Sequence, residues 1–372
     1  MNKQIKVLFL TNVPSPYRVH FFNELGTKCD LTVLYQKRKS SERNNKWVAK
    51  SHDIYKSVFL KGKNTGVDNA FCPAVIRYLN KSYDAIIICG IASPTEILAI
   101  EWCRLRKIPY YLEGDGAFVK SGNNIKEKLK RHLISGASLF FSTCKEHDKY
   151  YKHYGADSSK IVRYHFSSLL KKDILNEIVC ENEKCELREE LGIKEEKIVL
   201  TVGQFIYRKG FDILLQGASQ LPDNVGIYII GDNPTEEYLS IVRSNNLKNV
   251  HFEGFKTKDE LKKYYKMADV FVLPTREDIW GLVVNEAMAY GLPVVTTDKC
   301  NAGLELIQNG ENGYIVSTDN YIELEEGIRK TLDHSLVMGN NALLKIGDYT
   351  IERMAVDHIA TLQKNGVNSI KK

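Results

Sequence analysis

The sequence predicts an α/β protein built from two doubly wound domains with parallel sheets. Two observations carry this. Short apolar runs closed by glycine or proline turns alternate with segments of helical length, in both halves of the chain. At 372 residues the chain also exceeds what a single core usually supports. A composition of 43% hydrophobic and 26% charged residues is that of a globular chain.

The first half opens with a strand, Ile5–Leu10, a turn, Asn12–Tyr17, and a helix around Arg18–Leu25. Arg18 at a helix start opposes the macrodipole and asks for an anion partner. Leu31–Tyr35 is the second strand, and the basic stretch Gln36–Lys50 reads as an extended loop. Ala85–Cys89 is a buried strand running through Gly90–Thr95 into a helix. Tyr110–Leu112 leads to Glu113–Gly114–Asp115–Gly116, and Leu139–Phe141 leads to Ser142–Thr143. Asp115, in a glycine-rich turn after a buried strand, suits the orientation of a substrate hydroxyl. Turn formation alone explains an Asp–Gly pair equally well.

Between these strands, Ile125, Leu129 and Leu133 recur at four-residue steps, flanked by Lys126, Lys128, Lys130 and Arg131. Such a helix over Asn124–Ile134 either lies on an anionic bilayer or packs its stripe on the sheet. His132 has no partner visible in sequence. A polar stretch from Ser167 through Lys184 reads as the hinge, giving domains 1–175 and 176–348. Thr350 then caps a last helix to about Gln363, the segment 349–372, which crosses back to the first domain.

The second half starts with the strand Lys197–Gly203, the loop Gln204–Gly210 and a helix from Phe211. Val225–Ile230 and Val250–Phe255 follow, with a helix start at Lys258. Val270–Leu273, bounded by Pro274, is a buried parallel strand. The polar turn Arg276–Glu277–Asp278 leads into a helix from about Leu282 to Tyr290, stopped by Gly291 and Pro293 before the strand Val294–Thr297. A strand, a turn at its carboxyl end and a helix N-terminus form an anion cradle in open α/β sheets. Asp278 and Glu286 stand on that turn and helix, with Gly281 allowing close backbone approach.

Composition narrows the chemistry. Residues 1–175 hold 30 Lys+Arg against 15 Asp+Glu, and the remainder 22 against 31, so the net +6 is +15 combined with −9. The basic half suits phosphate-rich partners: an acidic lipid surface, a lipid-linked pyrophosphate or nucleic acid. No aromatic-interleaved basic motif marks a specific nucleic-acid binder. The eight cysteines lack CxxC spacing, which predicts free, buried thiols in a reducing cytosol and no metal centre. Met1–Gln4 leads directly into a strand, and no apolar run reaches the ~20 residues of a spanning helix, so neither a secretory leader nor a membrane span is expected.

The stretch Thr275–Val295 resembles the nucleotide-sugar signature of family 4 (group 1) glycosyltransferases. A carboxylate is followed by Ile279, by Trp280–Gly281–Leu282, and by Glu286–Ala287–Met288–Ala289–Tyr290–Gly291–Leu292–Pro293–Val294–Val295. The resemblance implies that Asp278, or Glu277 one step earlier, meets the transferred sugar and that Glu286 meets the ribose. The family's Gly–Arg…Lys–Gly pattern falls on Gly203 and Lys209, with Gln204 in place of the arginine and Arg208 as a substitute charge. Both cations would bind the donor pyrophosphate, and the backbone at Gly254–Phe255 would receive the nucleobase. The opening Thr11–Asn12–Val13–Pro14–Ser15–Pro16–Tyr17–Arg18 resembles a subset of the same family.

The resemblance implies the GT-B fold, two Rossmann-like domains facing across a cleft, with acceptor on the first and nucleotide-sugar on the second. It also implies retention of anomeric configuration with neither cofactor nor metal, in keeping with the lack of an Asp–x–Asp motif. In this reading a hexose passes from a UDP-linked donor to a glycan or lipid-linked acceptor of capsule or lipopolysaccharide synthesis. The protein would work in the cytoplasm, peripheral to the inner face of the plasma membrane. Three other classes stay open. They are a catalytically silent GT-B subunit supporting a partner enzyme, a sugar-nucleotide epimerase, and a nucleic-acid binder.

Overall fold

The computed structural model describes residues 4–39, 54–120, 122 and 125–365. Two compact units appear. One takes the described residues up to Leu170 together with those from Thr350 on; the other is Lys171–Tyr349. Most of the Gln36–Lys50 stretch and Asn124 lie outside the described residues.

In the first unit the chain runs β1 (Lys6–Thr11), α1 (Pro16–Gly26), β2 (Asp30–Tyr35), β3 (Lys56–Phe59), then the small hairpin β4 (Lys63–Asn64) and β5 (Ala70–Phe71). It continues β6 (Ala85–Cys89), α2 (Pro94–Leu105), β7 (Tyr111–Glu113), α3 (Ile125–Ser135), β8 (Leu139–Ser142), α4 (Lys145–His153) and β9 (Ile161–Arg163). The sheet order β3-β2-β1-β6-β7-β8-β9 is parallel throughout and reverses direction at β1/β6. Val7–Leu10, Ala85–Ile88 and Leu139–Ser142 are buried on both faces, which is why they read as unbroken apolar runs.

The second unit holds α5 (Glu181–Glu190), β10 (Lys197–Val202), α6 (Phe211–Ala218), β11 (Val225–Ile230), α7 (Glu236–Ser244), β12 (Val250–Glu253), α8 (Lys258–Met267) and β13 (Val270–Leu273). It ends α9 (Leu282–Ala289), β14 (Val294–Thr297), α10 (Asn301–Leu306), β15 (Gly313–Val316), α11 (Tyr321–Asp333) and α12 (Ser335–Ile346). Its parallel sheet has the order β12-β11-β10-β13-β14-β15, with the reversal at β10/β13.

The last helix, α13 (Ile351–Lys364), packs on α1. Thr350 caps it by accepting from Arg353 N–H, Ile351 N–H donates to the Leu169 carbonyl at 2.7 Å, and Asp357 Oδ2 lies 2.7 Å from His165 Nδ1.

Several details differ from the sequence reading. The division falls between Leu170 and Lys171, not after Leu175, because Leu175 N–H is already bonded to the Ala289 carbonyl. The polar run Glu181–Lys184 opens α5 instead of extending the hinge, its acidic first turn matching the helix dipole. Cys180 and Cys185 are exposed, since they start and ride this polar helix. The stripe on α3 is split: Leu133 and Ile134 are buried, while Ile125 and Leu129 face solvent. Lys130 pairs with Glu127, and His132 finds Glu101 at 2.9 Å. Among the described residues no helix is long and apolar enough to cross a membrane.

Candidate functional site

In the second unit two turns meet at the carboxyl edge of the sheet, beside the β10/β13 reversal. The first leaves β10 at Gly203, forms a short helical turn over Tyr207–Lys209 and enters α6 through Gly210. Gly210 has φ +69°, and a Cβ there would stand 1.9 Å from the Pro274 carbonyl, so only glycine lets the turns come this close. The second turn leaves β13 and enters α9 through Gly281, the N-cap, with φ +100°. Thr275 Oγ1 and Arg276 N–H both donate to the Arg208 carbonyl at 2.8 Å, stitching one turn to the other.

This stitching brings Lys209, Arg208 and Asp278 together. Lys209 Nζ donates to Asp278 Oδ2 at 2.6 Å, with both side chains nearly covered. The Lys209 stem crosses Gly203, where a Cβ would lie 3.6 Å from its Cδ and Cε. Arg208 Nη1 donates to the Glu277 carbonyl at 2.7 Å and stands 3.6 Å from Asp278 Oδ2, so its charge is aimed at the same spot while the side chain stays half exposed. Asp278 is fixed at its backbone, its N–H donating to the Lys299 carbonyl at 2.8 Å. Gln204 is exposed at the strand exit. Two cations flanking a carboxylate at a helix start can hold an anion and a hydroxyl-bearing group side by side.

The sequence reading missed what holds these turns. Arg276, two residues before Asp278, donates to both carboxylate oxygens of Asp212 at 2.8 and 2.6 Å and to Asp319 at 2.6 Å. It also donates to the Tyr207 carbonyl at 2.7 Å and lies 3.9 Å from the centroid of that ring. Arg276 therefore ties the Tyr207–Lys209 turn to the first turn of α6. A basic residue three positions after a buried strand was the available signal, and it reads as an ordinary solvated turn.

The remaining signature residues divide by environment. Glu286, half-buried on α9, accepts from Tyr265 at 3.1 Å; burial holds its carboxyl above the ordinary range, against the pull of Tyr265 and Lys258. The Trp280 ring is buried and its indole N–H donates to Asn285 at 2.7 Å, so the side chain anchors α9 and only the backbone at this position is left for a ligand. Ile279 and Phe255 are each 47% exposed, Leu282 is half-buried, and Gly254 has open space above it.

In the first unit the anion that Arg18 needs comes from the protein itself. Its guanidinium bonds Glu113 and Asp115, and Tyr17 O–H also donates to Asp115. Glu113 is buried and further accepts from Tyr164 at 3.2 Å, with His358 Nε2 of α13 at 3.3 Å. Burial would raise the Glu113 carboxyl, but Arg18 and His358 outweigh it and hold it at about 2. Asp115 stays partly exposed at 32%. Beside this loop stands His147, which the sequence reading passed over: its Nδ1 accepts from Thr143 N–H at 3.4 Å, its ring stacks on Tyr151 at 4.3 Å, and its Cε1 would meet a Cβ on Gly114 at 3.3 Å.

Residues 183–351 match the family model described as Glycosyl transferases group 1. An uncharacterized glycosyltransferase of Methanocaldococcus jannaschii is 33% identical over 155 residues, 40% of each chain. The N,N'-diacetylbacillosaminyl-diphospho-undecaprenol alpha-1,3-N-acetylgalactosaminyltransferase of Campylobacter jejuni is 27% identical over 252 residues, 64% of each chain. The matched stretches span less than half the length of several curated relatives, 40%, 49% and 38%. Among solved structures, Anabaena HepE in complex with UDP superposes with a TM-score of 0.76 at 16% identity, covering 97% of this chain and all of that one. That likeness shows the fold. Residues 183–351 thus carry the likeness to group 1 glycosyltransferases, and the chain as a whole has the GT-B fold.

Proposed function

We propose that the protein is a retaining, metal-independent glycosyltransferase of family 4. It moves a hexose from a UDP-linked donor to a glycan or lipid-linked acceptor in cell-surface polysaccharide synthesis. The observation that supports this best is the meeting of Lys209, Arg208 and Asp278 at the start of α9, inside the stretch that matches the group 1 family. HepE is solved with UDP, and the C. jejuni relative is named for a diphospho-undecaprenol acceptor; both point to this donor and acceptor class.

In this reading Lys209 and Arg208 bind the donor pyrophosphate, aided by the N-terminus of α9 at Gly281. Asp278 accepts from the transferred sugar, and Glu286 from the ribose. The nucleobase lies against the open backbone at Gly254–Phe255. The sugar C1–O bond to phosphate breaks as the acceptor oxygen bonds C1 from the same face, and the leaving phosphate takes the acceptor proton. Lys209 and Arg208 meet the charge that develops on that phosphate, the task a metal would otherwise serve. Asp115, its two oxygens held by Arg18 and Tyr17 and its side chain 32% exposed, orients the acceptor hydroxyl.

A thermal-shift series across nucleotide-sugars tests the reading. A true donor at ~100 times its dissociation constant stabilises by ~2.7 kcal/mol, whereas a chain without a donor site shows no shift. Binding without hydrolysis or transfer would favour the silent-subunit reading. We further infer that the basic first unit works at the cytoplasmic face of an anionic membrane, where α3 offers Ile125 and Leu129 beside Lys126, Lys128 and Arg131. Vesicle binding lost as salt screens the contact checks this.

A further inference from the structure

A groove of about 540 Å³ opens at the amino-terminal edge of the first unit's sheet, between the residues leading into β6 and the turn from α2 into β7. Its rim carries Arg77, Lys81, Arg106 and Lys107, and none of its lining residues is acidic. All four cations are exposed. Trp102 and Leu105 are among its apolar lining residues, and Leu105, the last residue of α2, is 75% exposed. The Arg106 guanidinium lies 5.5 Å from the centroid of the Trp102 ring, placing charge directly over apolar surface. Glu101, beside Trp102 in sequence, is taken by His132.

Lys107 supplies a second, independent observation. It is one of three non-glycine residues with positive φ among the described residues, at 51°. Its N–H donates to the Arg104 carbonyl at 3.2 Å, and Ile108 N–H donates to the Cys103 carbonyl at 2.8 Å. This is the pair of bonds that ends a helix through a left-handed residue, a position glycine fills at no steric cost. A lysine stands there instead, with its charge on the groove.

We propose that this groove docks the protein on an anionic phospholipid bilayer, phosphate headgroups meeting the four cations and the upper acyl region meeting Trp102 and Leu105. Apolar floor and cationic rim together match an acidic amphiphile better than a free anion, which has no use for an exposed leucine. The groove lies at the sheet edge opposite the Glu113–Gly116 loop, because strands β6 and β7 start at the groove and β7 ends at the loop. Docking there leaves the carboxyl edge of the sheet open to substrate. Nothing in it depends on the donor chemistry proposed above.

The test is sedimentation of the full chain, without donor, with vesicles of phosphatidylglycerol and phosphatidylcholine or of phosphatidylcholine alone. The groove variant combines Arg77→Gln, Arg106→Gln and Lys107→Gly; the glycine relieves the positive φ, so the fold is kept. A control removes equal charge from exposed positions of α4, outside both the groove and α3, as Lys145→Gln, Lys149→Gln and Lys152→Gln. The groove variant is expected to lose on the order of a hundredfold in partition onto the anionic vesicles, at least tenfold more than the control. Equal losses in the two variants would assign binding to net charge and overturn the proposal. So would unchanged binding of the groove variant, equal binding of the wild type to neutral vesicles, or full competition by inorganic phosphate against chloride at matched ionic strength.

Discussion

Lys209 Nζ and Asp278 Oδ2 stand 2.6 Å apart, joining residues separated by 69 positions. The cation proposed for the pyrophosphate is thus paired with the carboxylate proposed for the sugar. If both roles hold, Lys209 exchanges this carboxylate for phosphate when the donor binds. Lys209→Ala is expected to weaken nucleotide-sugar binding and turnover at least tenfold, through loss of a charge-assisted contact worth ~1.5–3 kcal/mol. Steady-state kinetics with calorimetry checks this, and unchanged constants would remove Lys209 from the site.

Arg276 acts one step back. Its bonds to Asp212, Asp319 and the Tyr207 carbonyl set where Arg208 and Lys209 are presented. Arg276→Lys keeps the charge but cannot repeat the fork to Asp212. The variant is expected to stay folded while donor KM rises about tenfold or more and kcat changes less, as befits a residue that positions the phosphate cations. A loss confined to thermal stability, with KM unmoved, would make Arg276 purely structural.

How far the sequence reached depended on burial and on separation along the chain. Ala85–Cys89, Val225–Ile230 and Val270–Leu273 carry unbroken apolar runs because both faces are covered, and the strands fall on those residues. The edge strands Lys56–Phe59 and Ile161–Arg163 escaped notice, since an edge strand is half solvated and shows neither a run nor a clean alternation. Lys209, Asp278 and Glu286 stood out through local spacing. The Lys209–Asp278 pair itself, the Arg276 clamp and the bond from His358 to Glu113, 245 positions apart, are products of tertiary packing and have no local signature.

Acid should weaken the first unit in two stages. Burial pushes the His147 ring from 6.5 down to about 3. The unfolded chain takes up this proton below about 6.5 and the folded chain only near 3, so the stability it represents is complete above the first value and drains toward the second. Glu113, depressed from 4.5 to about 2, adds a second loss between those values. Each unit crossed by one such group removes about 1.4 kcal/mol. Urea denaturation from pH 7 downward is expected to show falling stability from about 6.5, and His147→Gln to flatten the upper part only. A slope unaltered in that variant would mean that another group takes the proton.

Asp278 and Glu286 keep different company, and their loss should therefore differ in kind. Asp278 is paired with Lys209, whereas Glu286 sits on α9 with Tyr265 and a carboxyl raised by burial. If Glu286 accepts from the ribose, Glu286→Gln keeps the shape but removes a charge-assisted acceptor, weakening free UDP and the nucleotide-sugar alike. Asp278→Asn should leave free UDP bound no more weakly, because Lys209 is released toward phosphate, while the sugar-dependent steps suffer. Each lost contact amounts to ~1.5–3 kcal/mol, a ten- to hundredfold effect. Calorimetry with UDP and the nucleotide-sugar on both variants separates the two cases. A sugar-specific loss in Glu277→Gln instead would shift the contact by one residue and leave Asp278 as the partner that holds Lys209. Normal binding of both ligands by all three variants would remove this turn from the donor site altogether.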